Sequence, residues 1–243
     1  MTEPLLRVEG VTRRFGGLSA VNNVSLHVDP GEIVAVVGPN GAGKTTLFNL
    51  ITGQLPVHAG DVWFRGRRIT PLPAHKRARL GIARTFQLVR PFHSMNVTDN
   101  TLVGGLMTGR SCVAARRHAR QVLAEVELFD RASVTASELP LAQRKRLEVA
   151  RAVATDPALL LLDEVMAGLN PAEIERAVEL VRRLVARGLT VLLIEHNLRV
   201  VRSLANRVVV LDHGEQIAEG APDDVLHDDR VVEAYLGRQR STR

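Results

Sequence analysis

The chain of 243 residues is long enough for one large domain or a core with a smaller lobe, and 45% hydrophobic with 24% charged residues is ordinary for a globular protein with a sizeable core. Its single cysteine, Cys112, excludes an intrachain disulfide and fits a reducing compartment. The net charge of +6 permits a nucleic acid, an anionic lipid or an acidic partner without selecting one; the arginines read as a solvated surface, and no nucleic-acid partner is expected.

Met1 to Gly10 carries no basic stretch followed by an apolar one, so no secretion signal is expected, and no apolar run approaches the ~18 residues of a membrane span. From Leu5 to Val28 the sequence alternates around Gly16-Gly17, which predicts antiparallel strands at one edge. Ile33 to Val37 is uniformly apolar, the pattern of a strand buried on both faces. A helix is predicted from Lys44 to Leu50, with a stop at Gly53. The run Ile82-Ala83-Arg84-Thr85-Phe86 reaches Gln87, a polar residue at a strand end or simply a surface glutamine.

Pro91 to Asp156 lacks any buried-strand pattern, and Val113 to Leu128 is charged and helical in period, so this stretch reads as an inserted helical lobe. Its cluster Arg116-Arg117-His118-Ala119-Arg120 reads as a solvated helix face rather than a polyanion patch. Leu159 to Leu162, Thr190 to Ile194 and Val208 to Leu211 are further buried strands, and Ala172 to Ala186 is an amphipathic helix stopping at Gly188. The expected fold is α/β: a core with a mixed sheet from residues 1–88 and 156–243, an antiparallel edge subdomain, and a helical lobe at 89–155.

Gly38-Pro39-Asn40-Gly41-Ala42-Gly43-Lys44-Thr45 fits G-x-x-x-x-G-K-[ST] between a buried strand and a helix, which makes the core a P-loop NTPase. Glycines let the loop wrap phosphates closely, and the backbone N–H groups at the helix start face negative charge. Lys44 is expected to reach the β- and γ-phosphates of ATP, Thr45 to ligate Mg²⁺, and Thr46 to add a hydroxyl. Asp163 and Glu164 end an apolar strand; after a P-loop, Asp163 is expected in the Mg²⁺ shell and Glu164 as the group polarising the attacking water. His196, ending another buried strand, is placed to hydrogen-bond the γ-phosphate or that water.

The ordered set of P-loop, Gln87, a signature-like helix start, Asp163-Glu164 and His196 resembles the ATPase subunit of an ABC transporter. Arg14-Phe15-Gly16-Gly17-Leu18, Arg84-Thr85-Phe86-Gln87, Ala167-Gly168-Leu169-Asn170-Pro171, Ile194-Glu195-His196-Asn197 and Glu233-Ala234-Tyr235-Leu236-Gly237 resemble the branch of branched-chain amino-acid importers. The resemblance implies that Phe15 stacks on adenine and that Gln87 senses Mg²⁺ and the membrane subunit. It implies a second ATPase subunit closing head to tail, two membrane permease subunits and, indirectly, a solute-binding protein. It also implies a peripheral position at the cytoplasmic face of the inner (cell) membrane. The alternatives are the ATPase of a lipopolysaccharide-type export system, against which Asn170 and Tyr235-Leu236-Gly237 stand, and a non-transport ABC ATPase.

The sequence departs from that family at Leu139-Pro140-Leu141-Ala142-Gln143, where the usual signature reads Leu-Ser-Gly-Gly-Gln. Pro140 supplies neither a hydroxyl nor an N–H, and Leu141 and Ala142 add bulk where a phosphate approaches. Proline is acceptable in a first helical turn, so a helix from about Pro140 to Ala154 is predicted. Its dipole keeps about 0.3–1 kcal/mol of anion attraction. A lost hydrogen bond to a charged group is worth about 1.5–3 kcal/mol, so the loss wins. Signature residues act on the partner's ATP, so the expected assembly is a heterodimer rather than a homodimer. Val165, where the family has proline, is a smaller departure.

Overall fold

A computed structural model describes residues 3–85 and 91–236. In chain order the elements are β1 (Leu6–Phe15), β2 (Leu18–Val28), β3 (Ile33–Val37), α1 (Lys44–Thr52), β4 (Ala59–Phe64), β5 (Arg67–Arg68), α2 (Ala74–Arg79) and β6 (Ile82–Arg84). They continue with α3 (Val97–Leu106), α4 (Cys112–Glu125), α5 (Leu141–Val153), β7 (Leu159–Asp163) and α6 (Pro171–Ala186). The last are β8 (Thr190–Ile194), α7 (Leu198–Leu204), β9 (Arg207–Asp212), β10 (Glu215–Gly220), α8 (Pro222–Leu226) and α9 (Asp229–Leu236). The chain divides into two compact units, Met1–Arg77 with Thr190–Arg243, and Ala78–Leu189.

In the first unit the alternating amino-terminal stretch forms a hairpin, with Phe15 opposite Leu18 and Leu6 opposite Val28. Alternation puts Leu6, Val8 and Val11 inside and Arg7 and Glu9 outside. β4 adds to β1 and β5 to β4, giving the expected antiparallel subdomain a sheet of its own. The uniformly apolar strands form a second, mixed sheet. β3 lies between β8 and β9, parallel to both, and β10 closes antiparallel on β9. All five residues of β3 and of β8 are buried, as expected of strands covered on both faces.

Helix α1 leaves β3 through the glycine loop and ends at Gly53, whose left-handed backbone (φ 75°) returns its N–H to the last turn. The carbonyls at that end meet Arg77 of α2, which is 1% exposed. Its guanidinium donates to the carbonyls of Leu50 (2.7 Å), Ile51 (2.8 Å), Thr70 (2.8 Å) and Leu72 (2.8 Å). Burial pushes this guanidinium down to about 10.

In the second unit β6 and β7 pair in parallel, Ile82 with Leu159 and Arg84 with Leu161. The stretch without strand signals is helical, with α3 packed on both α4 and α5. Asn96 caps α3 and Ser111 caps α4, each accepting a backbone N–H. Helix α6 starts with a capping box: Asn170 accepts from the Glu173 N–H while the Glu173 carboxylate accepts from the Asn170 N–H, both at 3.0 Å. No described helix is long and apolar enough to cross a membrane.

Candidate functional site

The first unit carries the phosphate loop. Gly38 follows the buried end of β3 with φ 143°, and a Cβ there would overlap the carbonyl oxygen of Leu211 on the neighbouring strand. Gly43 (φ 102°) is the N-cap of α1, and a Cβ would overlap the Ala20 carbonyl. Side chains are thus excluded at both ends of the loop. With glycine as N-cap, no side-chain acceptor occupies the amino end of α1, so its first-turn N–H groups face whatever the loop holds.

Lys44 is nearly buried, and its ammonium donates to the carbonyls of Gly38 (2.7 Å) and Pro39 (2.9 Å). Asn40 and Gly41 at the loop tip and Thr45 are exposed, Thr46 is half-buried, and Ala42 is buried. Phe15 is half exposed at the end of β1, with the Arg13 guanidinium 4.8 Å from its ring centre. His196 is exposed and follows the buried Glu195 at the end of β8. Tyr235 of α9 belongs to the same unit. Burial raises its phenol, and the nearby Gly38 N–H works in the opposite direction.

The second unit carries the two carboxylates. Asp163 ends β7, buried, and its Oδ2 accepts from Arg84 Nη2 at 2.6 Å. Its backbone N–H donates to the Thr85 hydroxyl at 3.2 Å. Glu164 is half-buried in left-handed backbone (φ 49°), uncommon for a residue with a side chain. Its carbonyl accepts from Lys145 Nζ (3.1 Å) and from the Ala167 N–H (3.2 Å), which fixes the turn after β7. Pro140 is the N-cap of α5 and provides no side-chain cap. Leu141 is 40% exposed, its Cδ2 about van der Waals distance from a Cβ built on Gly168 (3.4 Å). Ala142 is buried and Gln143 half-buried, its Oε1 without a hydrogen-bond partner among the described residues.

The first unit therefore holds Phe15, the loop Gly38 to Thr46 and His196, and the second holds Asp163, Glu164 and Leu139 to Gln143. Gln87 lies outside the described residues. Sequence reading missed Arg84 on Asp163, Lys145 on the Glu164 carbonyl and Arg77 beneath α1. No local spacing announces them; the only signal was a charged residue at a position otherwise patterned as buried.

The residue types suit a nucleotide triphosphate. Two substitution-intolerant glycines, an uncapped helix start and a buried ammonium make a polyphosphate cradle. The Thr45 hydroxyl and Asp163 carboxylate are oxygen donors of the kind a hard divalent ion prefers.

Comparison with known proteins agrees. Residues 21–167 match the family model described as "ABC transporter", and residues 215–240 match "Branched-chain amino acid ATP-binding cassette transporter". The chain is 41% identical to the high-affinity branched-chain amino acid transport ATP-binding protein LivG of Salmonella typhimurium, over 98% of this chain and 99% of that protein. Identity and coverage are the same for BraF of Pseudomonas aeruginosa. Among solved structures, the ADP conformation of MJ1267, an ATP-binding cassette of an ABC transporter, is 34% identical with a TM-score of 0.89, covering 97% of this chain and 100% of that one. The dimeric post-hydrolysis structure of the cassette MJ0796 bound to ADP and Pi is 25% identical with a TM-score of 0.81, covering 89% of this chain and 98% of that one. The glycine loop, the strand-terminal carboxylates and these matches converge: the chain belongs to the ABC transporter family as one of its ATP-binding, ATP-hydrolysing subunits.

Proposed function

We propose that this chain powers an importer of branched-chain amino acids or related small polar solutes. The observation that carries the reading is its 41% identity with LivG and BraF along 98% of the chain, joined by the branched-chain cassette match at residues 215–240.

In this reading Gly38 to Thr46 hold the phosphates of ATP and Phe15 stacks on adenine. The Lys44 ammonium exchanges the Gly38 and Pro39 carbonyls for phosphate oxygens, a trade favoured because hydrogen bonds between two charged groups are the stronger kind. Thr45, Asp163 and Gln87 would hold Mg²⁺, which would supply neutralisation of the charge that develops on the transferring phosphoryl group. Glu164 takes the proton of the attacking water, and His196 hydrogen-bonds that water or the γ-phosphate. The water oxygen bonds to the γ-phosphorus as the bond to the β–γ bridging oxygen breaks, leaving ADP and inorganic phosphate.

The subunit pairs with a second ATPase subunit, engages two permease subunits and serves a solute-binding protein indirectly. It sits peripherally at the cytoplasmic face of the inner membrane, with the helical lobe at 89–155 meeting the permease. The absence of a side-chain cap at Pro140 and the exposure of Leu141 support a heterodimer in which the half-site this chain lends is impaired.

Glu164→Gln tests the chemistry. The variant is expected to bind a fluorescent ATP analogue as the wild type does and to hydrolyse no ATP above background. Persistent hydrolysis removes Glu164 from its role. Reconstituted vesicles that take up no leucine, isoleucine or valine on adding ATP would defeat the substrate assignment.

A further inference from the structure

The ion pair between Arg84 and Asp163 is the least exposed in the described structure, with side chains 6% and 0% exposed and Nη2 to Oδ2 at 2.6 Å. Three features hold it rigid. β6 pairs with β7 in parallel, setting Arg84 beside Leu161. The Thr85 N–H donates to the Leu161 carbonyl at 2.9 Å, carrying the ladder one step beyond β6. The Thr85 hydroxyl accepts the Asp163 N–H, which ties down the backbone at the carboxylate itself. A buried pair of this kind is a poor source of stability, because desolvating both charges offsets their attraction. Retaining a guanidinium here calls for another consequence, and charge supplies one. A cation recruited to Asp163 must share that carboxylate with a fixed positive neighbour, and like charges in a poorly screened site repel strongly.

We propose that Arg84 is a positioning residue that serves as the built-in counter-cation of Asp163, holding and neutralising the carboxylate when no metal is present and lowering its affinity for the divalent ion of the nucleotide. The proposal rests on the reading that Asp163 serves that ion. In the empty state the guanidinium keeps Asp163 in a single orientation. In the loaded state its repulsion keeps the ion exchangeable, which favours release of product with its metal.

The test measures binding, not turnover. Affinity for a fluorescent ATP analogue is determined with MgCl₂ and with EDTA, and the ratio of the two is the magnesium increment. Arg84→Gln keeps a hydrogen-bond donor and removes the charge; its increment is expected to rise about tenfold, with affinity in EDTA unchanged. Arg84→Lys keeps the charge and loses the planar fork; its increment is expected to stay within about twofold of wild type. A merely structural role lowers both affinities together and leaves the ratio fixed, and that result overturns the proposal, as does a smaller increment in Arg84→Gln. Should Arg84→Gln not fold, a tenfold change of the ratio in Arg84→Lys is enough to overturn it. Asp163→Asn tests the underlying reading separately. If it keeps the full increment, Asp163 does not serve the ion. If it loses the increment while Arg84→Gln shows no rise, only the role given to Arg84 fails.

Discussion

Replacing Arg77 with methionine removes a guanidinium but keeps most of its volume, and its cost follows from the geometry. Four charged hydrogen bonds to the carbonyls of Leu50, Ile51, Thr70 and Leu72 disappear. At about 1.5–3 kcal/mol each, the gross loss is about 6–12 kcal/mol. The variant also escapes the desolvation that pushes this guanidinium down to about 10 from an ordinary 12.5, a relief of about 3 kcal/mol. The Leu50 carbonyl keeps a second donor, the Gly53 N–H at 3.3 Å, which places the net loss toward the low end. About 3–5 kcal/mol results. That is a large share of the ~5–15 kcal/mol of a typical domain. Urea unfolding at neutral pH, followed by circular dichroism without nucleotide, measures it. Because the same helix begins at Lys44, binding of a fluorescent ATP analogue should weaken in parallel. A loss below about 1.5 kcal/mol would refute the reasoning, since it would mean that water satisfies the carbonyls as well as the arginine does.

Gly38→Ala forces a Cβ into the Leu211 carbonyl at φ 143°, a strain of about 1–3 kcal/mol placed in the loop; ATP-analogue affinity should fall at least tenfold while the chain stays folded, and unchanged affinity would remove the steric argument. If Leu139 to Gln143 act on the partner's nucleotide as proposed, restoring serine at Pro140 and glycine at Ala142 should raise ATP turnover of the assembled complex; an unchanged rate counts against the asymmetric heterodimer. Asp61 accepts from Arg68 (2.6 Å) and Thr70 (2.8 Å), and the Arg68 hydrogen bond is the main force holding its carboxyl below the ordinary carboxylate value. A depressed folded value means stability that is present above about pH 4 and lost as pH falls through that value. The wild-type advantage over Asp61→Asn in urea midpoint should therefore shrink in acid, and an advantage constant from pH 7 to 3 contradicts this.

The phosphate loop was legible because its evidence is local. A buried run, a glycine spacing, a lysine and a helix lie within the stretch from Ile33 to Thr52, and short-range sterics decide the outcome. Strand and helix positions were legible for the same reason. The helix predicted from about Pro140 to Ala154 runs from Leu141 to Val153, and the one predicted from Ala172 starts one residue earlier at Pro171, where the Asn170 capping box begins it. The amino-terminal strands were read as antiparallel and pair so, in an antiparallel sheet separate from the mixed one. Their partner β4 lies more than thirty residues beyond β2, and no periodicity in β1 identifies it.

The sequence by itself determined that this chain cradles a nucleotide and belongs to the ABC family, because glycine, lysine and strand-terminal carboxylates at fixed spacings carry their chemistry in residue type. Only the tertiary structure decided what those groups touch. It assigned the Lys44 ammonium to the Gly38 and Pro39 carbonyls, Arg77 to the end of α1, and Arg84 to Asp163. It also put Glu164 in left-handed backbone, with its carbonyl held by Lys145. Arg84 and Asp163 stand 79 positions apart in the chain, and the pair exists only because β6 and β7 run side by side in one register. Hydrophobic periodicity states which face of a strand is buried; which charge waits on that face is a property of the neighbouring strand, and pairing between distant strands is written in the fold rather than in any local run of residues.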